Sequence, residues 1–382
     1  MQQRYYSLDV FRGATVALMI LVNNPGNWGK IFGPLKHAPW HGITPTDLVF
    51  PFFLFAVGNA LSFVMPKFEE TGAKAFWKKI TKRTILIFLI GLFLNWSPFV
   101  KWSGEELVVK TWENIRIMGV LQRIALSYFF ASIIIFYGKN KGAFLAGMGI
   151  LLLYWFICLA AGTPGDPYSL SGWFGSSLDI RILGLSHLYK GEGIPFDPEG
   201  LMSTPAAIVE VILGFLAGQY IQEKGKNYEM LSNLFIAGMV LMFTGYCWDM
   251  VFPINKKIWT SSYTIYTSGL AMMVIGIFIY LIEFKSVTGK WSRFFEVFGK
   301  NPLFIFVLSG FLARVLALLR WEVAINPDGT KKYTSPLPFL YENIKVWFTD
   351  ERIPSLLYAC LLVGFYWLIV NWMDKKKIYI KV

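Results

Sequence analysis

The chain has 382 residues, of which 55% are hydrophobic, 18% aromatic and 16% charged, and its mean hydropathy is +0.49. Soluble domains carry charge at about a quarter of their positions, so this composition excludes an ordinary soluble protein. The formal net charge of +12 does not indicate nucleic-acid binding, because the lysines and arginines are concentrated in short segments between apolar runs. No nucleic-acid partner is therefore expected.

Apolar segments recur along the whole chain, and about 20 apolar residues suffice to cross the hydrocarbon core of a bilayer. We predict about ten membrane-spanning helices, at residues 8–23, 44–65, 81–97, 117–138, 142–162, 204–222, 230–252, 260–282, 297–319 and 353–373. The fold class that follows is all-α: a polytopic helical membrane protein, surrounded by lipid, with one transmembrane domain over residues 1–382. Cys158, Cys247 and Cys360 fall inside predicted spans, so neither a disulfide nor a zinc site is expected.

The charge distribution predicts the orientation of these helices. Lysine and arginine are frequent in the short connections, for example at Lys67, Lys74, Lys78 and Lys79. By the positive-inside rule these connections are cytoplasmic, together with both termini. The long loops 24–43, 98–116, 163–203 and 320–352 then lie on the outer side. We expect the substrate site there, because loops on a rigid scaffold commonly carry function.

The first outer loop contains two of the three histidines, His37 and His41. Histidine side chains titrate near neutral pH and are therefore suited to proton transfer. Their HxxxH spacing is typical of a metal site on a helix. Pro39 and Gly42 disfavour a helix here, and no glutamate lies within the motif, so no metal is expected.

Charged residues inside membrane spans are costly and are usually functional or paired. The candidates are Asp9, Arg12, Asp47, Arg123, Glu210, Asp249 and Arg314. Asp47 and Arg123 are expected to form an ion pair near the outer side. Most tryptophans are typical of an interfacial aromatic belt, and Trp40 is the one that we expect to stack on a sugar ring.

Six motifs occur in the order found in a known family: SLDVFRG at residues 7–13, KHAPW at 36–40, DLVFP at 47–51, GVLQRI at 119–124, FDPEG at 196–200 and FPINKKIW at 252–259. From residue 7 to about residue 315 the chain resembles the heparan-α-glucosaminide N-acetyltransferases and their bacterial relatives. The resemblance implies transfer of acetyl from cytoplasmic acetyl-CoA to the amine of a glucosamine-type sugar or glycan on the outer side. It also implies a homodimer, and together with the short inner loops it favours a bacterial-type plasma (inner) membrane.

The resemblance also suggests residue roles. The family's active histidine falls on His37 and its asparagine on Asn23, although a three-residue difference in spacing leaves Asn24 or Asn27 as alternatives. We expect His37 to be the general base or the acetyl acceptor, Asn23 to stabilise the oxyanion and Asp47 to orient the imidazole. The remaining candidates are Trp40, His41, Asn24 and Asp249 for the sugar, and Arg12, Lys78, Lys79, Lys82, Arg83 and Arg123 for coenzyme A.

Two other functions remain open at this point. A transporter or flippase for a small polar solute is consistent with ten helices and charges inside the membrane. An O-acetyltransferase of an envelope polysaccharide would use the same donor with a hydroxyl acceptor. His41 and Glu210 stand where the lysosomal enzyme has asparagine and an apolar residue, so the acceptor in particular is not fixed by the resemblance.

Overall fold

A computed structural model describes residues 5–327 and 329–380 of the chain. Residues 1–4 and 381–382, which belong to the termini predicted to be cytoplasmic, lie outside the described residues. The described chain is mainly helical, and its α-helices are α1 (Tyr6–Asn23), α2 (Val49–Ser62), α3 (Met65–Thr71), α4 (Ala73–Trp96), α5 (Val120–Ala161), α6 (Gly175–Leu183), α7 (Thr204–Lys224), α8 (Tyr228–Asp249), α9 (Ser261–Phe278), α10 (Lys290–Lys300), α11 (Pro302–Leu316), α12 (Pro336–Lys345) and α13 (Arg352–Lys375).

Shorter elements lie between these helices. Two antiparallel hairpins occur within predicted outer loops: β1 (Val100–Ser103) pairs with β2 (Glu106–Val109), and β3 (Trp321–Ile325) pairs with β4 (Lys331–Thr334). Neither hairpin was predicted from the sequence, because its strands are only four or five residues long and mostly exposed. Short 3-10 helices cover Gly33–Leu35, Pro45–Leu48, Trp112–Asn114 and Leu185–His187, and a π-helix, Ile279–Phe284, continues α9.

The predicted class of helical membrane protein is confirmed. Within the described chain, seven helices are long and apolar enough to cross a membrane, or eight if α10 and α11, which meet at an 81° bend, count as one span. The 42 residues of α5 would extend about 63 Å, twice the roughly 30 Å of a bilayer core. Lys139, with φ 53° and ψ −166°, interrupts α5 where the sequence predicts the connection between two spans. The number ten stays a prediction.

The helical bundle has two ends, which contacts between distant segments define. At one end, Gly42 donates its N–H to Ile254 O, and Ile117 N donates to His187 O. We call this the histidine end; it comprises residues 24–48, 97–119, 162–203, 250–260, 317–327 and 329–351. At the other, the basic end, Arg12 Nε donates to Gly299 O at 2.9 Å; it comprises residues 63–72, 139–141, 225–227, 285–300 and 376–380.

Helix α2 connects the two ends and packs closely against the buried helix α7. A Cβ atom added at Gly58 would lie 2.0 Å from Val211 O, and one added at Gly214 would lie 2.2 Å from Phe55 O. Backbone atoms occupy these positions, so only glycine permits the observed approach of the two helices. The close packing fixes α2 against α7 at Phe55 and Gly58.

This packing predicts that Gly58→Val destabilises the fold, because α2 and α7 must separate to accommodate the side chain. We expect a loss of about 3 kcal/mol or more, at the upper end for overpacked sites. Gly149→Val is a matched control, since Gly149 also lies within a helix but has open space at its Cβ position. Thermal unfolding of the detergent-solubilised protein measures the difference. Equal melting temperatures for the two variants would contradict the packing argument.

Candidate functional site

At the histidine end, His37 contacts a buried carboxylate. His37 Nδ1 lies 2.6 Å from Asp47 Oδ1, and the side chain of Asp47 is 1% exposed whereas that of His37 is 42% exposed. The imidazole is therefore held from within the protein and remains accessible from outside. A histidine oriented by a carboxylate in this way is a common arrangement for a general base.

Hydrogen bonds from the surrounding loop hold the Asp47 carboxylate in place. Asp47 Oδ2 accepts hydrogen bonds from Ala38 N at 3.0 Å, Thr44 N at 3.1 Å and Thr44 Oγ1 at 3.0 Å. Thr44 and Asp47 form a capping box around the turn that leads into α2, and Pro45 supplies a fixed φ at its first position. Tyr263 OH donates to the backbone oxygen of Asp47 at 2.5 Å. The carboxylate is thus rigid, and its second oxygen is left for His37.

A lysine that sequence reasoning did not single out completes this cluster. Lys256 Nζ lies 3.0 Å from His37 Nδ1, 3.5 Å from His37 Nε2 and 3.5 Å from Asp47 Oδ1. Burial lowers the pKa of Lys256, while Asp47 and Glu199 oppose that change. The only signal for it in the sequence is its position within the motif at residues 252–259, which lies between α8 and α9.

The predicted ion pair between Asp47 and Arg123 is wrong. The cationic partners of Asp47 in the described chain are His37 and Lys256. Arg123 is completely buried, donates to Gly200 O at 3.1 Å and contacts Ser203 Oγ, with its guanidinium 5.0 Å from the ring centre of Trp259. Arg123 therefore anchors the segment before α7, and it does not line the cavity at the basic end that is described below.

Three predicted sugar-site residues, Trp40, His41 and Asp249, lie in or next to the loops that carry His37 and Lys256. Trp40 Nε1 donates to Tyr168 O at 2.8 Å, and Lys257 Nζ lies 5.8 Å from the centre of the Trp40 ring. Asn255 Nδ2 lies 3.4 Å from His41 Nδ1, and burial lowers the pKa of His41, an effect that Asp249 opposes. Asp249 Oδ1 accepts a hydrogen bond from Ile254 N at 2.5 Å and so holds the loop that carries Lys256.

The asparagines at the end of α1 make local contacts. Asn23 is exposed, and Asn24 Nδ2 donates to Ile20 O at 2.8 Å. Asn27 Oδ1 accepts from Gly29 N at 2.8 Å. Among the described residues no hydrogen bond joins any of these three side chains to His37. A role for one of them in the reaction therefore requires that substrate atoms lie between it and the imidazole.

A second cluster that the sequence analysis missed stabilises the segment next to the His37 loop. Arg116 forms a bidentate ion pair with Asp197, in which Nε lies 2.9 Å from Oδ2 and Nη2 lies 2.6 Å from Oδ1. Arg116 also contacts Glu199. These carboxylates raise the pKa of Arg116 although burial opposes them. Burial raises the pKa of the nearby Asp179 to about 7. Both carboxylates belong to the FDPEG motif, so the acidic residues of that motif are the sequence feature that could have indicated this cluster.

The basic end contains a cavity of about 390 Å³ between α1, α2, α4, α5 and the α10–α11 bend. Four cations line it: Arg12, Lys79, Arg83 and Lys300. Three of them were predicted from the sequence, whereas the predicted Lys78 and Lys82 do not line the cavity. A neighbouring cavity of about 260 Å³ shares Arg12, Ala56 and Ala60 with it. In residues 5–327 and 329–380, no group of three or more His, Cys, Asp or Glu side chains is arranged to hold a metal ion.

This geometry defines a helical membrane protein with a histidine–carboxylate pair at one end and a cation-lined cavity at the other. Residues 4–175 match the family described as Heparan-alpha-glucosaminide N-acetyltransferase, catalytic. The chain is 25% identical over 357 residues to Heparan-alpha-glucosaminide N-acetyltransferase of Homo sapiens, an alignment that covers 80% of this chain and 52% of the relative. The chain is 26% identical over 358 residues to the enzyme of the same name from Mus musculus, and that alignment covers 80% of this chain and 53% of the relative.

The chain thus spans about half the length of the curated relatives it matches. The matches confirm the resemblance that the six sequence motifs predict. The family match includes His37, Asp47 and the cavity residues Arg12, Lys79 and Arg83, but it ends before Lys256.

Proposed function

We propose that this protein is a transmembrane N-acetyltransferase that moves acetyl from cytoplasmic acetyl-CoA to the amine of a glucosamine-type sugar on the outer side of the membrane. The observation that carries the proposal is that one helix, α2, runs from the His37 site to the cavity at the basic end. Asp47, the partner of His37, immediately precedes α2, and α2 supplies Phe53, Ala56 and Ala60 to the wall of the basic cavity. The six residues from Asp47 to Phe53 correspond to about 9 Å of helix.

The basic cavity fits the donor. Its volume of about 390 Å³ lies within the roughly 300–1,000 Å³ of small-molecule sites. Arg12 pairs with Asp9, and Lys300 pairs with Glu296 and Asp374, so Lys79 and Arg83 are the cations that we propose for the phosphates of coenzyme A. Arg83 Nε is buried and has no hydrogen-bond partner in the described chain. Such an unpaired donor needs a partner, and an anionic ligand supplies one. The apolar wall formed by α2 and α5 then suits the uncharged arm that bears the thioester.

His37 supplies the base for the transfer itself. The neutral amine attacks the thioester carbonyl, the nitrogen–carbon bond forms, and the imidazole takes the proton that the nitrogen loses. The carbon–sulfur bond then breaks, and the imidazolium returns the proton to the departing thiolate, which leaves coenzyme A and the amide. Asp47 orients the ring and stabilises its cationic form. Asn23, or a backbone N–H, is the proposed donor to the oxyanion, with Trp40, His41, Asn24 and Asp249 around the sugar.

The same residues also permit a two-step route in which His37 accepts the acetyl group before the amine takes it. A ping-pong kinetic pattern with a trapped acetyl-enzyme would establish the two-step route and exclude direct transfer.

We also propose that residues 1–382 form a single domain in a bacterial-type plasma membrane, with both termini cytoplasmic. The outer loops then lie at the histidine end, and the protein is a homodimer.

The proposed reaction is tested with purified protein, radiolabelled acetyl-CoA and a pair of acceptors. Label should pass to glucosamine and not to N-acetylglucosamine, whose amine is blocked. Transfer to both sugars would indicate a hydroxyl acceptor and hence an O-acetyltransferase. Absence of transfer together with flux of the sugar across vesicles would indicate a transporter.

The cavity makes a sharp prediction about which basic residues bind coenzyme A. Lys79→Gln and Arg83→Gln each remove a cation from the cavity wall, and we expect each to raise the Kd of coenzyme A about 10-fold or more, as is typical for loss of a charge-assisted hydrogen bond. Lys78→Gln and Lys82→Gln are matched controls, since each removes one positive charge from a neighbouring position that does not line the cavity.

Titration calorimetry with coenzyme A measures the four variants under one condition. The Kd of coenzyme A for the two control variants should stay within about twofold of the wild-type value. If all four variants weaken binding alike, the effect is one of general surface charge, and the cavity is not the donor site.

A further inference from the structure

The position of Lys256 relative to His37 is unusual for a simple hydrogen-bond partner. Its Nζ lies within 3.5 Å of both ring nitrogens of His37. A donor in the plane of the ring and in line with Nδ1 would be much farther from Nε2. That in-plane position at Nδ1 already belongs to Asp47 Oδ1, at 2.6 Å. The ammonium group therefore lies against the face of the imidazole.

The surroundings hold the lysine in this position. Lys256 Nζ is 3.5 Å from Asp47 Oδ1, and its side chain is 20% exposed. The charged groups that face it are Asp47 from the turn before α2, Glu199 from the segment before α7, and Lys257 from its own loop. Lys257 is engaged elsewhere, because it donates to Pro39 O at 2.7 Å and pairs with Glu192 at 2.5 Å. His37 thus has one carboxylate and one ammonium group in direct contact.

These two contacts act on the imidazole in opposite directions. The carboxylate of Asp47 favours the imidazolium, and a positive charge at the ring face disfavours it. A general base has to be unprotonated before it can act.

We propose that Lys256 is a positioning residue that holds the His37 ring against Asp47 in the neutral, proton-accepting form. The catalytic contact is made by His37, and Lys256 acts through it. This inference rests on the proposed function for its catalytic meaning, but its electrostatic part concerns the free protein and needs no substrate.

The experiment is a pH titration of the His37 ring by NMR in the full-length protein labelled with ¹⁵N-histidine. The chain has three histidines, so His41→Gln and His187→Gln assign the signals. In Lys256→Met we expect the midpoint of the His37 titration to move up by about one pH unit or more, which is a tenfold change in proton affinity. Lys256→Arg, which keeps the charge, should restore a midpoint close to wild type.

Lys257→Met is the matched control, since it removes the adjacent charge without removing a contact to His37, and its midpoint should not move. Lys256→Gln repeats the charge removal with a polar side chain if Lys256→Met fails to fold. An unchanged or lowered midpoint in the charge-removing variant, or an equal rise in Lys257→Met, would overturn the proposal.

Kinetics separate this inference from the proposed function. If acetyl transfer occurs, the acid limb of kcat/KM in Lys256→Met should move to higher pH together with the NMR midpoint. Transfer with no shift in either quantity overturns the role of Lys256 and leaves the acetyltransferase intact. A shifted midpoint in a protein that transfers no acetyl group overturns the acetyltransferase and leaves the electrostatic effect of Lys256 intact.

Discussion

Replacing His37 with glutamine is expected to lower the rate of acetyl transfer about 10²–10⁴-fold, the usual contribution of a positioned general base. Glutamine keeps a polar side chain of similar length but cannot take a proton from the amine. Binding of coenzyme A should not change, because the cavity lined by Arg12, Lys79 and Arg83 is at the opposite end of α2. Initial rates with radiolabelled acetyl-CoA and calorimetry with coenzyme A measure the two effects separately.

His187→Gln is the control for this prediction. Its Nδ1 lies 2.6 Å from Ile115 O, so it holds two loops together and does not contact the His37 cluster. We expect its activity to stay within a few-fold of wild type. If His37→Gln retains near-wild-type activity, the base is another residue, and His41 is the first alternative.

Asp47→Asn should reduce kcat by about 10²-fold, because it removes the charge that orients the His37 ring and stabilises its cationic form. The amide oxygen can still accept from Ala38 N and Thr44 N, but an NH₂ group then faces His37 Nδ1 and Lys256 Nζ. The imidazole must turn or change its tautomer in response. Loss of one buried charge-assisted contact also costs about 1–3 kcal/mol of stability.

Steady-state kinetics with separate kcat and KM values test the effect of Asp47→Asn. Asp249→Asn is the comparison, since Asp249 is a second carboxylate at the histidine end that accepts from Ile254 N and is proposed to lie near the sugar. It should alter KM more than kcat. Equal losses of kcat in the two variants would mean that Asp47 has no special relation to the base.

The parts of the structure that follow from local sequence could be predicted. Long apolar runs require helices in a membrane, since every backbone polar group must be paired within its own segment. The proximity of His37 and Asp47 is also local, because they are ten positions apart in one loop that closes on the carboxylate. The break at Lys139 likewise lies where a short polar stretch interrupts two apolar runs.

Contacts between distant segments could not be predicted in the same way. Lys256 is 219 residues from His37, and only the packing of α8 and α9 brings their connecting loop over the imidazole. The predicted pair of Asp47 and Arg123 is wrong because depth in the membrane does not fix which helices are neighbours, and Arg123 contacts Gly200 O and Ser203 Oγ instead. Lys78 and Lys79 are indistinguishable by composition, and the rotation of α4 about its axis decides that only Lys79 lines the cavity.

We propose that acetyl passes from a donor site at one face of the membrane to an acceptor at the other face. Protein reconstituted in sealed vesicles tests it directly, with labelled acetyl-CoA added outside and glucosamine enclosed in the lumen. We predict labelled N-acetylglucosamine in the lumen while coenzyme A stays outside, made by the molecules whose basic end faces outward. Product that forms only when donor and acceptor share one compartment would contradict it.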